Sequence, residues 1–573
     1  RSTLVAVFFP IVFMDGTTGR LFREFSIVVS GSVIISSFAA LTFTPMLATK
    51  LLIKREQQSW FYRKTEPFFE GMNRVYSQSL AAFLKRRWIA LPFTIVTILL
   101  IGVLWNTIPA EMAPLEDRSQ ISINTMGAEG VTYEYIRDYT EDINHLVDSI
   151  IPDAEAVTAR VSSGSGNVRI TLKDMKDRDY TQMEVAEKLS KAVQKKTMAR
   201  SFVQQSSSFG GRRGGMPVQY VLQATNIEKL QEVLPKFMTK VYENPVFQMA
   251  DVNLKFSKPE ARININRDKA SIMGVSTKNI AQTLQYGLSG QRMGYFYMNG
   301  KQYEILGEIN RQQRNKPADL KGIYIRSDNG NMVQLDNLIE LTGGIAPPKL
   351  YRYNRFVSAT ISAGLADGKT IGQGLDEMDK IAKETLDETF RTALTGDSKE
   401  YRESSSSLMF AFILAIVLIY LILAAQFESF KDPLIIMLTV PLAIAGALVF
   451  MYFGGITMNI FSQIGIIMLI GLVAKNGILI VEFANQKQEA GEDKMRAIKD
   501  ASLQRLRPIL MTSASTILGL IPLAYATGEG CNQRIAMGTA VVGGMLISTL
   551  LTMYIVPAIY SYVSTNRSKL KTE

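Results

Sequence analysis

Gly471-Leu-Val-Ala-Lys475-Asn476-Gly-Ile-Leu-Ile-Val-Glu482-Phe-Ala484 places a lysine in the middle of an apolar run that extends from Ile460 to Phe483. About 20 such residues at 1.5 Å per residue cross the hydrocarbon core of a bilayer, so the run reads as a membrane span. An ammonium held at that depth costs about 2.5–3.5 kcal/mol on insertion scales and must meet water or a counter-charge, which makes function the default inference. The alternative is a stem that snorkels to the surface, over about nine residues of helix or roughly 13 Å. Glu482 lies near the inner end of the same run and reads as an interfacial anchor. On the following run, Thr512 and Ser513 stand just inside Arg505-Leu-Arg507-Pro508. Their hydroxyls could hold water or bond the ammonium, or simply bond their own helix. Arg505 and Arg507 could guide a proton path or serve as flanking anchors.

Six further runs resemble Ile460–Phe483 in length and lack of charge: Ser26–Leu47, Trp88–Ile108, Ser405–Ala425, Pro433–Phe453, Pro508–Ala526 and Ala536–Tyr562, with a shorter eighth at Thr3–Met14. None of the others carries a central Asp or Glu, so an acidic partner for Lys475 is expected outside this sequence. Alternating the loops between two sides groups 49–87, 426–432, 485–507 and 564–573, which hold 19 Lys or Arg against three in the short loops opposite. The first set is therefore cytoplasmic. With 10 acidic residues in the same segments, nine of the net +11 charges gather at the inner face, so the basic balance is topology and not a nucleic-acid footprint. Between Trp60 and Leu84, Phe61, Phe68, Met72, Val75, Leu80 and Phe83 recur at helical spacing, which predicts an amphipathic helix lying on the inner membrane surface or packing on the bundle. Cys531 and His145 are the single residues of their types, which excludes an intrachain disulfide and a His/Cys metal centre.

The two ends of the apolar part share a pattern. An offset of 512 residues superposes Pro10 on Pro522, Gly16 on Gly528, Gly31 on Gly543, Ser36 on Ser548 and Pro45 on Pro557. Such a register predicts duplicated halves, the second beginning at Trp88. The chain opens on Arg1 inside an apolar run, and the offset predicts roughly 400–500 residues upstream, with four spans and a second large outward domain.

Residues 109–404 have a soluble composition and lie between two spans on the outward side. Strands are predicted at Ser119–Met126, Ala156–Val161 and Asn167–Leu172, with helices at Tyr133–Ser149 and Gln182–Lys195. A second cycle has strands at Val218–Ala224, Asp251–Phe256 and Phe356–Ile361 and helices at Asn226–Tyr242 and Ile371–Leu386. The fold class is thus a polytopic α-helical membrane protein with a large α+β domain of repeated ferredoxin-like β-α-β-β-α-β units. Glu260–Pro347 interrupts the second unit with a strand at Ala261–Asn266, a helix at Thr277–Tyr286 and a hairpin at Gly294–Ile309, and reads as an inserted subdomain. Gly364-Leu-Ala-Asp-Gly368-Lys369-Thr370 imitates a phosphate loop but is one residue short, so it reads as a plain strand-to-helix turn and ATP is not the expected energy source. Phe209–Met216, rich in Gly and Arg, reads as a surface loop.

Gly471–Ala484, Arg505–Ser513 and the order of spans around one large outward domain resemble the resistance-nodulation-division transporters, in particular the hydrophobe/amphiphile efflux branch that forms the inner-membrane part of tripartite exporters. The resemblance covers the whole chain. It implies a homotrimer in the bacterial inner membrane with its large domain in the periplasm, working with a periplasmic adaptor and an outer-membrane channel. It also implies a drive by protons with no cofactor, and small hydrophobic or amphiphilic substrates. By residue match it implies that Lys475, Thr512 and Arg505 form the proton relay, opposite an aspartate pair on a helix outside this sequence. Its division of the chain is 1–48 as the last two spans of a first half, 49–87 as a cytoplasmic helix and linker, and 88–108 as the first span of the second half. There follow porter subdomains at 109–258 and 349–404, a docking insertion at 259–348, five helices over 405–563 and a cytoplasmic tail at 564–573. The loop that is rich in phenylalanine in many drug pumps reads Val161-Ser-Ser-Gly-Ser-Gly166 here, which leaves Phe202 and Tyr220 as the substrate-pocket candidates. The competing functions are a lipid, metabolite or protein-translocation factor of the same fold, and a scaffold that transports nothing.

Overall fold

The computed structural model describes residues 2–14, 16–51, 60–205, 216–347, 349–366 and 368–565. Phe209–Gly215 of the Gly/Arg segment lies outside them. The membrane part comprises α1 (Ser2–Val12), α2 (Gly16–Leu51), α3 (Trp60–Lys85) and α4 (Ala90–Thr107), and then, beyond a large α+β domain, α11 to α16. Within that domain lie α5 (Tyr133–Ile150), α6 (Gln182–Val193), α7 (Ile227–Glu243), α8 (Arg267–Ile272), α9 (Thr277–Leu288) and α10 (Ile371–Thr385). The later membrane helices are α11 (Gly396–Phe427), α12 (Lys431–Met437), α13 (Thr439–Phe453), α14 (Ile460–Glu489), α15 (Lys494–Ala524) and α16 (Cys531–Val563). Seven described segments are long and apolar enough to cross a membrane, one of them α12 and α13 together.

Several helices outrun their apolar windows, because a helix that leaves the bilayer keeps its own backbone bonds: α14 continues through Gln486–Glu489 and α15 starts at Lys494, well before Pro508. The run expected as one helix over Pro433–Phe453 is divided at Leu438. Pro441 has no N–H to give the Met437 carbonyl four residues back, so the ladder breaks there. The bundle is packed through small residues. A Cβ on Gly446 would stand 3.0 Å from the Gly543 carbonyl oxygen, one on Gly543 2.4 Å from Phe450, and one on Gly465 3.0 Å from the Met537 carbonyl oxygen. Helix α3 turns Tyr76, Leu80 and Leu84 into this bundle, with the Tyr76 hydroxyl donating to the Met553 carbonyl at 2.6 Å, while Phe68 and Val75 remain exposed on its far side.

The two largest sheets described in the α+β domain have matching order. The first has β1 (Gln120–Met126), β2 (Ala156–Ser162), β3 (Ser165–Thr171) and β4 (Arg200–Gln205) in the order β2-β3-β1-β4, all neighbours antiparallel. The second has β5 (Val218–Ala224) and β6 (Phe247–Val252) before the insertion, and β13 (Arg352–Tyr353), β14 (Phe356–Leu365) and β15 (Arg391–Leu394) after it. Its order is β6-β14-β5-β15, and β13 shares the β14 edge with β6. Strands β4 and β15 escaped the sequence reading because each is a short edge strand with little apolar alternation. The strand expected at Asp251–Phe256 lies instead at Phe247–Val252. Asn253 ends it, accepting from the Thr360 N–H through its side chain at 2.7 Å. The insertion contains β7 (Lys258–Ile265), paired with β12 (Ile339–Ala346), the hairpin of β8 (Gln291–Met298) and β9 (Lys301–Gly307), and the short pair β10 (Tyr324–Arg326) and β11 (Met332–Gln334). Gly368 takes φ +74° and Thr370 is the N-cap of α10, the strand-to-helix turn that the spacing predicted.

A short strap fastens the domain to the bundle. Met458 N–H donates to the Pro109 carbonyl at 2.8 Å, Glu111 N–H to the Met458 carbonyl at 3.0 Å and Ile460 N–H to the Met112 carbonyl at 3.2 Å. The Thr457 hydroxyl donates to the Glu111 carboxylate, whose pKa burial pushes up against that bond.

Candidate functional site

Helix α14 starts cleanly because Asn459 caps it, accepting from the N–H groups of Phe461 and Ser462 at 3.0 Å each. From there its residues divide by face. Val473, Ala474, Asn476 and Gly477 are buried against the bundle, whereas Met468, Leu472, Lys475, Leu479, Glu482 and Gln486 form one less buried stripe at helical spacing. Lys475 is exposed on that stripe, and its ammonium makes no hydrogen bond or ion pair with any described residue. Two turns further, the Glu482 carboxylate accepts from Gln486 Nε2 at 3.0 Å.

The neighbouring residue carries the polar contacts instead. Asn476, 2% exposed, reaches the Ser513 hydroxyl on α15 at 3.3 Å and the Thr549 hydroxyl on α16 at 3.4 Å. Asn476 thus ties three helices together directly behind the lysine. Thr512 bonds locally, donating to the Ile509 carbonyl at 3.1 Å, and its own carbonyl accepts from Thr516 at 2.8 Å. Arg505 lays its guanidinium 4.4 Å from the Phe483 ring centroid, and its Nε is buried with no hydrogen-bond partner among the described residues. Arg507 turns to α3, 3.3 Å from Glu66 and 4.1 Å from the Phe69 ring centroid. Of the sequence candidates, the structure sets Arg505 against the Phe483 that follows Glu482 and brings Ser513 to Asn476. It makes no bond between Lys475 and Thr512.

The C-terminal end of α14, beyond the apolar run that ends at Phe483, holds a second buried polar group. Asn485 donates to Asp432 of α12 at 3.1 Å, Tyr560 of α16 donates to Asn485 at 2.5 Å, and Gln488 reaches the Tyr560 hydroxyl at 2.6 Å. The available signal was the polar pair Asn485 and Gln488, three residues apart on one helix face.

The two pocket candidates are far from equivalent. Phe202 is half-buried on β4, opposite Asn124 of β1. Tyr220 sits on the other sheet, 2% exposed, with its ring stacked on Phe237 at 6.4 Å and its hydroxyl donating to Asp379 at 2.9 Å. Burial pushes the Tyr220 hydroxyl pKa up. Its ring is core packing with no face to offer a ligand, which corrects its reading as a pocket wall. The reason is position: β5 lies between β14 and β15 and buries nearly every side chain.

Comparison with known proteins agrees with the span pattern. Residues 1–564 match the model of the AcrB/AcrD/AcrF family. The chain is also 31% identical over 577 aligned residues to an uncharacterized transporter of Haemophilus influenzae (strain ATCC 51907 / DSM 11121 / KW20 / Rd), covering 99% of this chain and 56% of that relative. It spans about half the length of the curated relative it matches.

Proposed function

The chain belongs to the AcrB/AcrD/AcrF family of RND transporters, and on that premise we propose that it forms part of a proton-driven exporter of hydrophobic or amphiphilic compounds. The observation that carries this reading is Lys475, a mid-span amine on an open stripe, with the three-helix contact of Asn476 immediately behind it. A protein of the relative's length has further chain to place against that stripe, and the reading puts a carboxylate there. When the carboxylate is ionised it pairs with Lys475; when it takes up a proton the pair is released and α14 is free to shift. Arg505 and Thr512 lie on the inner side of the path, Arg505 as a fixed positive charge and Thr512 as a hydroxyl able to hold water. Because α14 is stitched at its outer end to the Pro109–Met112 strap, a shift of α14 pulls on the base of the α+β domain.

In this reading the chain works in the inner membrane with the domain in the periplasm, as a homotrimer joined to an adaptor and an outer-membrane channel. The two matched sheets, which 109–258 and 349–404 supply between them, are ferredoxin-like porter units, and 259–348 docks to the channel. The test is transport of a fluorescent amphiphile by the whole protein in proteoliposomes with an imposed pH gradient. Uptake that rises with the gradient and stops when a protonophore collapses it is expected. Uptake indifferent to the gradient would overturn the proposal.

A further inference from the structure

At the end of the bundle where α14 and α16 finish, cations from three elements converge on the last turn of α16. Arg87 belongs to a short 3₁₀ turn, Arg87–Ile89, between α3 and α4. It donates to the Ser561 hydroxyl at 3.2 Å and lies 4.5 Å from the Tyr562 ring centroid. Lys494 opens α15 and donates to the carbonyl of Ser564, the C-cap of α16, at 2.5 Å. Lys431 opens α12, is exposed, and acts on Lys494 through its charge, as do Arg87 and Asp432.

Part of this positive charge has a local use. The C-terminal end of a helix carries about half a negative charge and favours a cation beside it. Asp432, 2% exposed and bonded by Asn485 at 3.1 Å, supplies one full negative charge. Set against these, the three cations leave an excess of about one and a half charges. The ion pairs of the neighbouring chain are Lys487 with Glu492 and Asp500, and Arg507 with Glu66; among the described residues none includes Arg87, Lys431 or Lys494. Asp493 turns its carboxylate to the Met495 N–H at 3.1 Å to cap α15. Lys85 and Arg86, both exposed, precede Arg87 and add to the excess. Arg87 and Lys494 are each half-buried, so their mutual repulsion is poorly screened and a bound anion relieves it.

The surroundings say which anion. The turn that brings Arg87 also brings Trp88, 63% exposed, and leads to Leu91, 54% exposed. Around Lys431 stand Phe430 and Leu434, 73% and 53% exposed. A tryptophan at the start of a span marks the boundary of the hydrocarbon, which sets the cations at headgroup depth with open apolar side chains alongside. A guanidinium fork matches phosphate oxygens, and a lysine adds a point charge.

We propose that Arg87, Lys431 and Lys494 bind the phosphate of an anionic phospholipid, whose acyl chains lie against the exposed apolar side chains of α4 and α12. The bound lipid ties the α3–α4 turn, α12 and α15 to the end of α16. The site is independent of Lys475, of proton coupling and of which face of the membrane this end of the bundle meets.

Binding is measured on the whole protein in neutral detergent, with no gradient, by native mass spectrometry. Dioleoylphosphatidylglycerol and dioleoylphosphatidylcholine, equal in chains and different in head charge, are titrated against wild type, Lys431→Gln, Arg87→Gln and Arg87→Lys. Wild type is expected to hold phosphatidylglycerol on the order of ten-fold more tightly than phosphatidylcholine. Lys431→Gln removes a side chain with no bond to the described residues, so it tests the charge without disturbing the fold. It should weaken phosphatidylglycerol about five-fold and phosphatidylcholine less than about two-fold. Arg87→Gln should do at least as much, with Arg87→Lys recovering part of the loss. Inorganic phosphate should fail to displace the lipid, and full displacement by it at equal concentration would overturn the lipid assignment in favour of a free anion. Equal binding of the two lipids by wild type, or a preference that Lys431→Gln and Arg87→Gln both leave unchanged, would overturn the proposal.

Discussion

Helices α2 and α16 carry the same register of small and helix-bending residues, yet one is bare and the other is packed. None of the most apolar stretch of α2 is buried, against 61% for α16. The counterparts agree wherever the backbone alone decides: Gly16 and Gly528 both take left-handed φ, +82° and +86°, just before the membrane stretch, and Pro10 and Pro522 both lie inside the preceding helix. They differ wherever a neighbour decides. A Cβ on Gly543 would collide with Phe450, whereas one on Gly31 meets nothing within 4 Å. Thr549 receives a hydrogen bond from Asn476, whereas Ser37, its counterpart at the same offset, bonds its own helix at the Val33 carbonyl. The comparison teaches that a shared register of small and helix-bending residues sets the same turns in both helices, whereas close packing depends on the neighbour each one meets.

The largest effect is expected at the glycines. Gly543→Leu must push aside Phe450 and should lower the stability of the bundle by about 3 kcal/mol, read as a drop in the thermal midpoint of the purified protein. Gly31→Leu sharpens the comparison, because in the whole protein the account expects a loss of similar size, and an unchanged midpoint would make α2 a lipid-facing helix. Next comes the polar contact of α16. Asn476→Leu should cost about 1 kcal/mol through its lost bonds to Ser513 and Thr549, while Ser37→Ala on α2 should cost little, both read from the same melts. The smallest effect is expected where α3 joins the bundle: Tyr76→Phe removes one bond from α3 to the Met553 carbonyl and should shift stability by about 0.5–1 kcal/mol.

Much of the bundle was legible because about 20 apolar residues in a row have few uses other than crossing a bilayer. The depth of Lys475 followed from counting, but its direction did not. A span that is apolar on every side gives no periodic signal for which face is buried, so the open stripe and the role of Asn476 emerge only when α15 and α16 are in place. The inner group of Asp432, Asn485, Gln488 and Tyr560 was missed for a related reason: its members come from three helices, and each alone reads as an ordinary flank. In the α+β domain the strands with clear alternation were found, while β4 and β15 needed a partner strand to define them. Tyr220 misled because an aromatic residue near a proposed pocket reads the same in sequence whether it faces ligand or core.

The central claim is that Lys475 answers to a carboxylate that gains and loses protons, and the direct measurement is substrate-coupled proton flux in proteoliposomes followed with an internal pH dye. Wild type should move protons when an amphiphile is supplied. Lys475→Ala should show no coupled flux while keeping its thermal midpoint and its affinity for the amphiphile. Coupled flux undiminished in Lys475→Ala would contradict the account.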